Sequence, residues 1–222
     1  MKKTLIGLVV AMFSMGTVSA ETTVNIGISG NAALFAASAT ETDQGTHGTT
    51  TDGNEKNSES DFLGVAYGSV FLEGEFGPVL IGVDYVMQDL DTETASTVVD
   101  DKTTSDASTK KTNTVKVSFN DLTTVYAGFK IGNAYVKAGV IAVDLKTEEN
   151  LGTGGSYGDT SLDGTMVGVG ASHTLDNGVF LRAEASYMEF DSVELTSTSG
   201  SQKVSLDSLD GIQGKFSIGK SF

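Results

Sequence analysis

Eight segments of the chain alternate apolar and polar residues with a period of two, and the connections between them are alternately short and long. A period of two puts successive side chains on opposite faces of a strand, so each segment predicts a β-strand between two different environments. The three short connections contain the glycine, asparagine, aspartate or proline that tight hairpins require, at residues 77–78, 132–133 and 175–178. The four long connections are rich in Thr, Ser, Gly and Asp, and cover residues 38–61, 91–112, 147–162 and 192–208.

The positions of the acidic residues identify one of the two environments. In the phase that carries the apolar side chains, the first acid lies ten residues from the short turn in four strands and twelve residues from it in two. A tilted strand rises roughly 2.4 Å per residue along a membrane normal, so ten residues cover about 24 Å, which is the height of the apolar band of membrane barrels. We therefore predict that these acids mark the outer rim of a membrane barrel: Asp89, Asp121, Asp144, Asp163, Glu189 and Asp210.

Together these patterns predict an all-β fold: an eight-stranded, antiparallel, up-and-down transmembrane barrel with short periplasmic turns and four long extracellular loops. Two features fit the pattern less well. The second strand, residues 62–75, alternates poorly and has no assigned phase. Lys220 lies on the outward face, near the end of the last strand, where a lysine can extend its ammonium group to the membrane surface.

Residues 1–20 have two lysines, a short apolar run and a small-residue site at Ala20, and so predict a secretory signal peptide cleaved after Ala20. The predicted mature domain, residues 21–222, carries 12 basic and 29 acidic residues. This negative charge argues against a nucleic-acid partner, which needs a basic surface. The chain has no cysteine, so disulfides contribute nothing to its stability.

The ending FSIGKSF, the hairpin HTLDNGVFLRAEASYMEF and the long polar loops resemble the OmpA-like family of small eight-stranded outer-membrane proteins with a porin-family β-barrel domain. The resemblance implies a location in the cell outer membrane and insertion by the barrel assembly machinery. That machinery would read the terminal strand, and the residues expected to form its signal are Phe216, Ile218 and Phe222. The family usually has an aromatic or aliphatic residue third from the end, where this chain has Lys220. One relative passes small apolar compounds through a side opening, and the sequence leaves that alternative open.

Eight strands enclose an interior that side chains can fill, so a wide pore is not expected. The inward phase contains acids and bases that we expect to neutralise one another and plug the lumen: Asp84, Lys130, Lys137, Arg182, Glu184 and Lys215. The alternative is that these charges line a narrow porin-like path for ions or small solutes.

A lipid-modifying enzyme is a second alternative, and such enzymes need a nucleophile beside a base. His47 lies in the first long loop, and His173 lies on the outward phase at a short turn, so neither histidine predicts a catalytic pair. We expect no catalytic, cofactor or metal-binding residues within the chain. A soluble lipocalin-like barrel is the structural rival, and it would have a polar outer surface around an apolar cavity.

The long loops carry a net charge of −11 and are the remaining candidates for a function, since binding sites commonly lie on loops held by a rigid scaffold. We expect a monomer with a structural or surface-interaction role. Its expected partners are outer-membrane lipid and lipopolysaccharide, with divalent cations bridging the rim acids to lipid phosphates, because hard cations take oxygen ligands.

Overall fold

A computed structural model of the chain describes residues 22–43, 55–91, 95–101, 109–151, 156–198 and 202–222. The predicted signal peptide and His47 lie outside these residues. The described residues form strands and turns, and none of them belongs to a helix long and apolar enough to cross a membrane. The strands are β1 (Thr22–Asp43), β2 (Glu55–Phe76), β3 (Val79–Val86), β4 (Leu90–Asp91), β5 (Ala95–Asp101), β6 (Thr109–Ile131), β7 (Ala134–Leu151), β8 (Thr160–Thr174), β9 (Val179–Phe190), β10 (Val193–Thr196) and β11 (Gln202–Ser221).

Antiparallel pairing closes these strands into a barrel. β1 pairs with β2 on one side and with β11 on the other, which joins the two ends of the sheet. β4 and β5 pair with β6 above β3, and β10 pairs with β11 above β9. The described strands therefore occupy eight positions around an up-and-down barrel, and the predicted fold class is confirmed.

The short connections lie together at one end, called the lower end here. Gly132 and Gly178 have φ angles of 65° and 79° in two of these turns. A side chain is disfavoured at such angles, so glycine allows the tight reversal there. All three short connections fall where the sequence predicts them.

The predicted boundaries of the long connections are wrong, because the strands continue well beyond them at the upper end. β1 and β2 pair as far as Asp43 and Glu55, and β6 and β7 pair as far as Asn113 and Leu151. The extended segments of β1, β2 and β7 are mostly polar and acidic, and their strand pairing persists beyond the apolar part of the wall. Much of each predicted loop is therefore part of the sheet.

The outer face of the barrel carries a continuous apolar belt, and its large side chains are between 38% and 67% exposed. The register aligns them in rows across neighbouring strands, as in Ile28 between Val70 and Ile218. The belt includes Ile26, Ile28, Leu34, Val79, Phe129, Ile131, Val136, Val140, Val167, Val169, Leu181, Ile212, Phe216 and Ile218.

Candidate functional site in the barrel interior

The lower half of the lumen holds a cluster of charged side chains, which we call the polar plug. All six charged residues predicted to face the lumen lie on inward positions, and the structure adds Glu73 and Glu75 from β2. With these two, the plug contains four acids and four bases, so its formal charge is zero. The plug consists of Glu73, Glu75, Asp84, Lys130, Lys137, Arg182, Glu184 and Lys215.

Glu73 is the centre of the plug, and sequence analysis missed it. Its carboxylate accepts two parallel bonds from Arg182, with Nη1–Oε2 at 3.0 Å and Nη2–Oε1 at 2.9 Å. Asn25 Nδ2 donates to Oε1 at 3.0 Å, and the Tyr126 hydroxyl donates to Oε2 at 2.9 Å. Glu73 is fully buried, so this complete set of donors replaces the water that a carboxylate would otherwise require.

A second set of contacts surrounds Glu184. Lys137 Nζ lies 2.7 Å from Glu184 Oε1, and the Tyr135 hydroxyl donates to Oε2 at 2.7 Å. The ammonium of Lys137 also lies 4.3 Å from the centre of the Tyr126 ring, and the Arg182 guanidinium lies 5.1 Å from that of Tyr135. Each cation therefore meets both a carboxylate and an aromatic face, which stabilises its charge away from water.

Two further ion pairs complete the plug. Lys215 Nζ lies 2.8 Å from Asp84 Oδ2, with both side chains 8% exposed. Lys130 donates to Glu75 nearer the lower end, where the two side chains are 30% and 21% exposed. Predicted bases therefore pair with predicted acids in two cases, and with acids of β2 in the other two.

Above the charges, neutral polar side chains form the next layer of the lumen. Gln213 donates through Nε2 to Asn31 Oδ1 at 3.3 Å and to the Tyr67 hydroxyl, and it accepts from Ser186 Oγ at 3.0 Å. Asn31 Nδ2 donates to Ser69 Oγ at 3.1 Å. These bonds connect the neighbouring strands β9, β11, β1 and β2 inside the lumen, so the polar filling continues above the charges on this side of the wall.

The upper half of the lumen is apolar, which the sequence analysis did not predict. We call this region the apolar chamber. Its inward-facing side chains pack in one cluster above Gln213, and they come from β1, β3, β6, β7, β8, β9 and β11. Its buried members include Phe35, Val86, Leu122, Ile141, Val143, Leu145, Leu162, Met166, Met188, Phe190 and Leu209.

The predicted rim acids lie on the outer face at the upper edge of the apolar belt. Glu189 and Asp210 are directly opposite each other on β9 and β11. Two tyrosines at the edge of the belt donate to acids, Tyr187 to Asp210 Oδ1 at 2.9 Å and Tyr85 to Asp121 Oδ1 at 2.8 Å. Among the described residues, no three acids or histidines come close enough together to hold a metal ion.

Asp121 has a φ angle of 54° at a register shift in β6. Of the remaining predicted rim acids, Asp89 is exposed, whereas Asp144 and Asp163 are partly buried in β7 and β8. All six lie on the outer face near the upper edge of the belt, ten residues from the lower turns in four strands and twelve in two.

The end of the chain closes the barrel. Phe222 exchanges both backbone hydrogen bonds with Val24, and Phe216 and Ile218 lie on the outer face, 59% and 47% exposed. Lys220 is also outward, and its ammonium donates to the carbonyl of Asn177 in the lower turn. His173 is exposed opposite Leu181 on β9.

Comparison with known proteins gives only distant likenesses. No family model and no curated relative matches the chain. Among solved structures, Ail, the attachment invasion locus protein of Yersinia pestis solved with the heparin analogue sucrose octasulfate, is 14% identical, with 88% of this chain and 99% of Ail covered and a TM-score of 0.38. The outer membrane protease OmpT of Escherichia coli is 8% identical, with 94% of this chain and 99% of OmpT covered and a TM-score of 0.36. At these values neither likeness supports an argument about function, and the barrel assignment rests on the strand pairing.

Proposed function

We propose that the chain is an outer-membrane barrel whose lumen is closed. The apolar belt supports the membrane location, because exposing rows of Ile, Val, Leu and Phe to water would be energetically unfavourable. A soluble lipocalin-like barrel would present the opposite outer surface. The acids begin where the belt ends, as the cost of charge on a lipid-facing surface requires.

The closed lumen is carried by one observation, the ion pair between Arg182 and Glu73 at the centre of the plug. Both groups are buried, and their bonds tie β9 to β2 across the interior. An ion entering from either end would have to break this pair without water to replace it, which is costly. The geometry therefore favours a plugged barrel over a conducting one.

A plugged barrel has its outer surface and its upper end available for function. We propose a structural or surface-interaction role through the acidic upper segments, without enzymatic activity. The terminal strand with Phe216, Ile218 and Phe222 would direct insertion by the assembly machinery. Divalent cations would bridge the rim acids to lipopolysaccharide phosphates. The phosphates would add oxygen ligands to those of the rim carboxylates, which are too few to hold a cation alone.

Single-channel conductance in planar bilayers tests the closed lumen. The refolded chain from residue 21 should be electrically silent, whereas the Arg182→Ala/Glu184→Ala variant should give discrete steps, because it leaves Glu73 and Lys137 unpaired and admits water. The Glu189→Ala/Asp210→Ala variant removes two charges outside the lumen and should stay silent. Heat-dependent gel mobility confirms folding in each case. Steps from the unaltered chain would establish a porin instead.

A further inference from the structure

Among the described residues, the strand pairing of the barrel wall is interrupted on one side of its upper half. β2 and β3 pair from Phe76–Val79 up to Ser69–Val86, and there the pairing stops. Above Ser69, the described part of β2 pairs with β1 alone, and β4 and β5 pair with β6 alone. The described residues thus leave an opening between β2 and β4, which we call the seam.

The seam begins within the apolar belt and extends past its upper edge. Val86 lies seven residues above the lower turn, which at roughly 2.4 Å per residue corresponds to about 17 Å. Asp89, where outward charge begins, lies three residues higher. The seam is therefore level with the boundary between lipid acyl chains and head groups.

The apolar chamber lies directly behind the seam. Leu63 and Val65 point inward from β2, Leu90 lies on the other side in β4, and all three are only partly buried. They line one cavity together with Phe35, Phe119 and other chamber residues. That cavity has a volume of only about 40 Å³, so an entering molecule must insert between side chains.

Outside the barrel, a groove of about 810 Å³ runs beside the base of the seam. Gln88 borders the groove on the seam side, and its floor consists of Gly30, Ala32, Ala66, Gly68 and Gly214.

The glycines of this floor serve no packing purpose within the chain. A Cβ at Gly30 or Gly214 would have no atom within 4 Å, and neither residue has a positive φ. Glycine inside a strand costs about 0.5–1 kcal/mol relative to alanine. What these residues provide is depth on the outer face of the wall.

Among the described residues, the edge of β2 above Ser69 has no strand partner beside this apolar path, although the Phe62 N–H donates to Asp61 Oδ1. A second copy of the chain cannot pair with that edge. In two barrels inserted in the same orientation, the adjacent β2 strands would run in the same direction, and their tilts would make them cross at an angle. An amphiphile suits both features, since its head-group oxygens can accept from edge amides at the upper end of the seam while its tail occupies the apolar space below them. We propose that the seam binds an acyl chain, which lies in the groove and inserts its end between Leu63, Val65 and Leu90.

This proposal rests on the proposed membrane location, and a single-tryptophan experiment tests the two separately. The chain has no tryptophan, so each substituted one reports alone. Val65→Trp and Leu90→Trp place the reporter on either side of the seam. Phe216→Trp places it on the belt, and Phe180→Trp places it in the lower lumen, where Phe180 is 1% exposed. Each variant is folded into vesicles of phosphatidylcholine with brominated acyl chains, which quench tryptophan on contact.

Phe216→Trp should be strongly quenched and Phe180→Trp should not, which tests the membrane location. At least one of the seam reporters should lose at least half as much fluorescence as Phe216→Trp. Adding a brominated fatty acid to vesicles of unbrominated phosphatidylcholine distinguishes a free fatty acid from a membrane lipid. In the Val65→Trp background, Gly68→Phe should fill the groove and reduce the quenching at least twofold. Ala138→Phe, on the outward face of β7, should leave it unchanged.

Seam reporters as unquenched as Phe180→Trp in both vesicle systems would overturn the proposal, while quenching of Phe216→Trp would keep the membrane location intact. Quenching only by a small brominated apolar solute would also overturn it and assign the seam to small molecules. If Val65→Trp fails the heat-mobility test of folding, Leu90→Trp gives the same information from the opposite side.

Discussion

Arg182 and Glu73, 109 residues apart in the chain, form a bidentate ion pair that joins β9 to β2 across the lumen. Removing one partner of a buried pair leaves an uncompensated charge, whereas replacing both can be nearly neutral. We expect Glu73→Gln to lower the free energy of unfolding by about 3–5 kcal/mol, measured by denaturant unfolding in lipid vesicles.

Two variants provide the controls. Glu75→Gln disrupts the pair with Lys130, whose side chains are partly exposed, and should cost no more than about 1 kcal/mol. Glu73→Gln/Arg182→Met should recover much of the loss, because no buried charge stays unpaired. Equal costs for Glu73→Gln and Glu75→Gln would contradict a central role for Glu73.

Gly170 and Gly214 predict opposite effects of the same substitution. A Cβ at Gly170 would lie 2.4 Å from the Tyr135 hydroxyl, so it would displace the ring that donates to Glu184. Gly170→Ala should therefore destabilise the barrel by about 1–3 kcal/mol. Gly214→Ala should be neutral or should stabilise it by up to about 1 kcal/mol. The same unfolding measurement decides, and a similar loss at both positions would be inconsistent with these contacts.

The strand phases were predictable because the two faces of the barrel wall differ in polarity. Apolar residues such as Ile28 and Phe216 lie on the outer face, and the acids Glu189 and Asp210 lie at the upper edge of that face, so alternation and charge spacing give the same answer. The sequence did not reveal which charged residues pair with each other. The inward phase shows that Lys137 and Glu184 share the lumen, but the alternation does not say which acid each base meets.

The phase of β2 could not be predicted, because its large side chains point inward and its glycines lie on the outer face. Its inward face carries Tyr67, Phe71 and Glu73, while its outward face carries Gly64 and Gly68. Phe71 fits inside because its ring packs against Gly27 of β1, a contact between strands that no single segment reveals. The available signal was charge, since lipid could not accept Glu73 readily, but its position near the lower turn made that signal weak.

The seam could not be inferred from alternation, because a strand edge has the same period of two whether or not it is paired. Leu63 and Val65 alternate normally with Gly64, and the interruption becomes visible only in the register of β2 with β3. The apolar chamber was hidden for a related reason, as apolar residues in the inward phase of a strand also suit an ordinary packed core.

Asp91 and Lys116 predict a pH response above the apolar belt. Lys116 Nζ lies 2.8 Å from Asp91 Oδ2, and Ser118 Oγ donates to Oδ1 at 2.6 Å. Hydrogen bonds from these donors lower the pKa of Asp91, and the bond to Asp91 raises the pKa of Lys116. The contribution of Asp91 to stability is thus present above its unfolded pKa of about 3.9 and is lost as the pH falls through the lower folded value.

The contribution of Lys116 is present below its unfolded pKa of about 10.4 and is lost as the pH rises through the higher folded value. The pairing of β4 with β6 should therefore be unaffected by pH between about 5 and 9. In an NMR titration, the carboxyl of Asp91 should have a midpoint below about 3.9 that rises in Lys116→Met. Lys203→Met, which removes a separate pair with Glu194, should leave the midpoint unchanged. An unchanged midpoint in Lys116→Met would refute the assignment.

Glu189 and Asp210 lie directly opposite each other on the outer face at the rim, and like charges so placed cost about 0.2–1 kcal/mol. A divalent cation shared with lipopolysaccharide phosphates would remove this repulsion. In vesicles containing lipopolysaccharide and Mg²⁺, a chelator should lower the melting temperature by about 2–4 °C for each kcal/mol lost. The melting temperature of the Glu189→Gln/Asp210→Asn variant should fall much less.

Asp207→Asn is the control. It changes an acid that accepts hydrogen bonds from Thr40 and Ser205 above the rim, and it should respond to the chelator like the unaltered chain. An equal response from all three proteins would place the cation elsewhere, and no response from any would exclude the bridge.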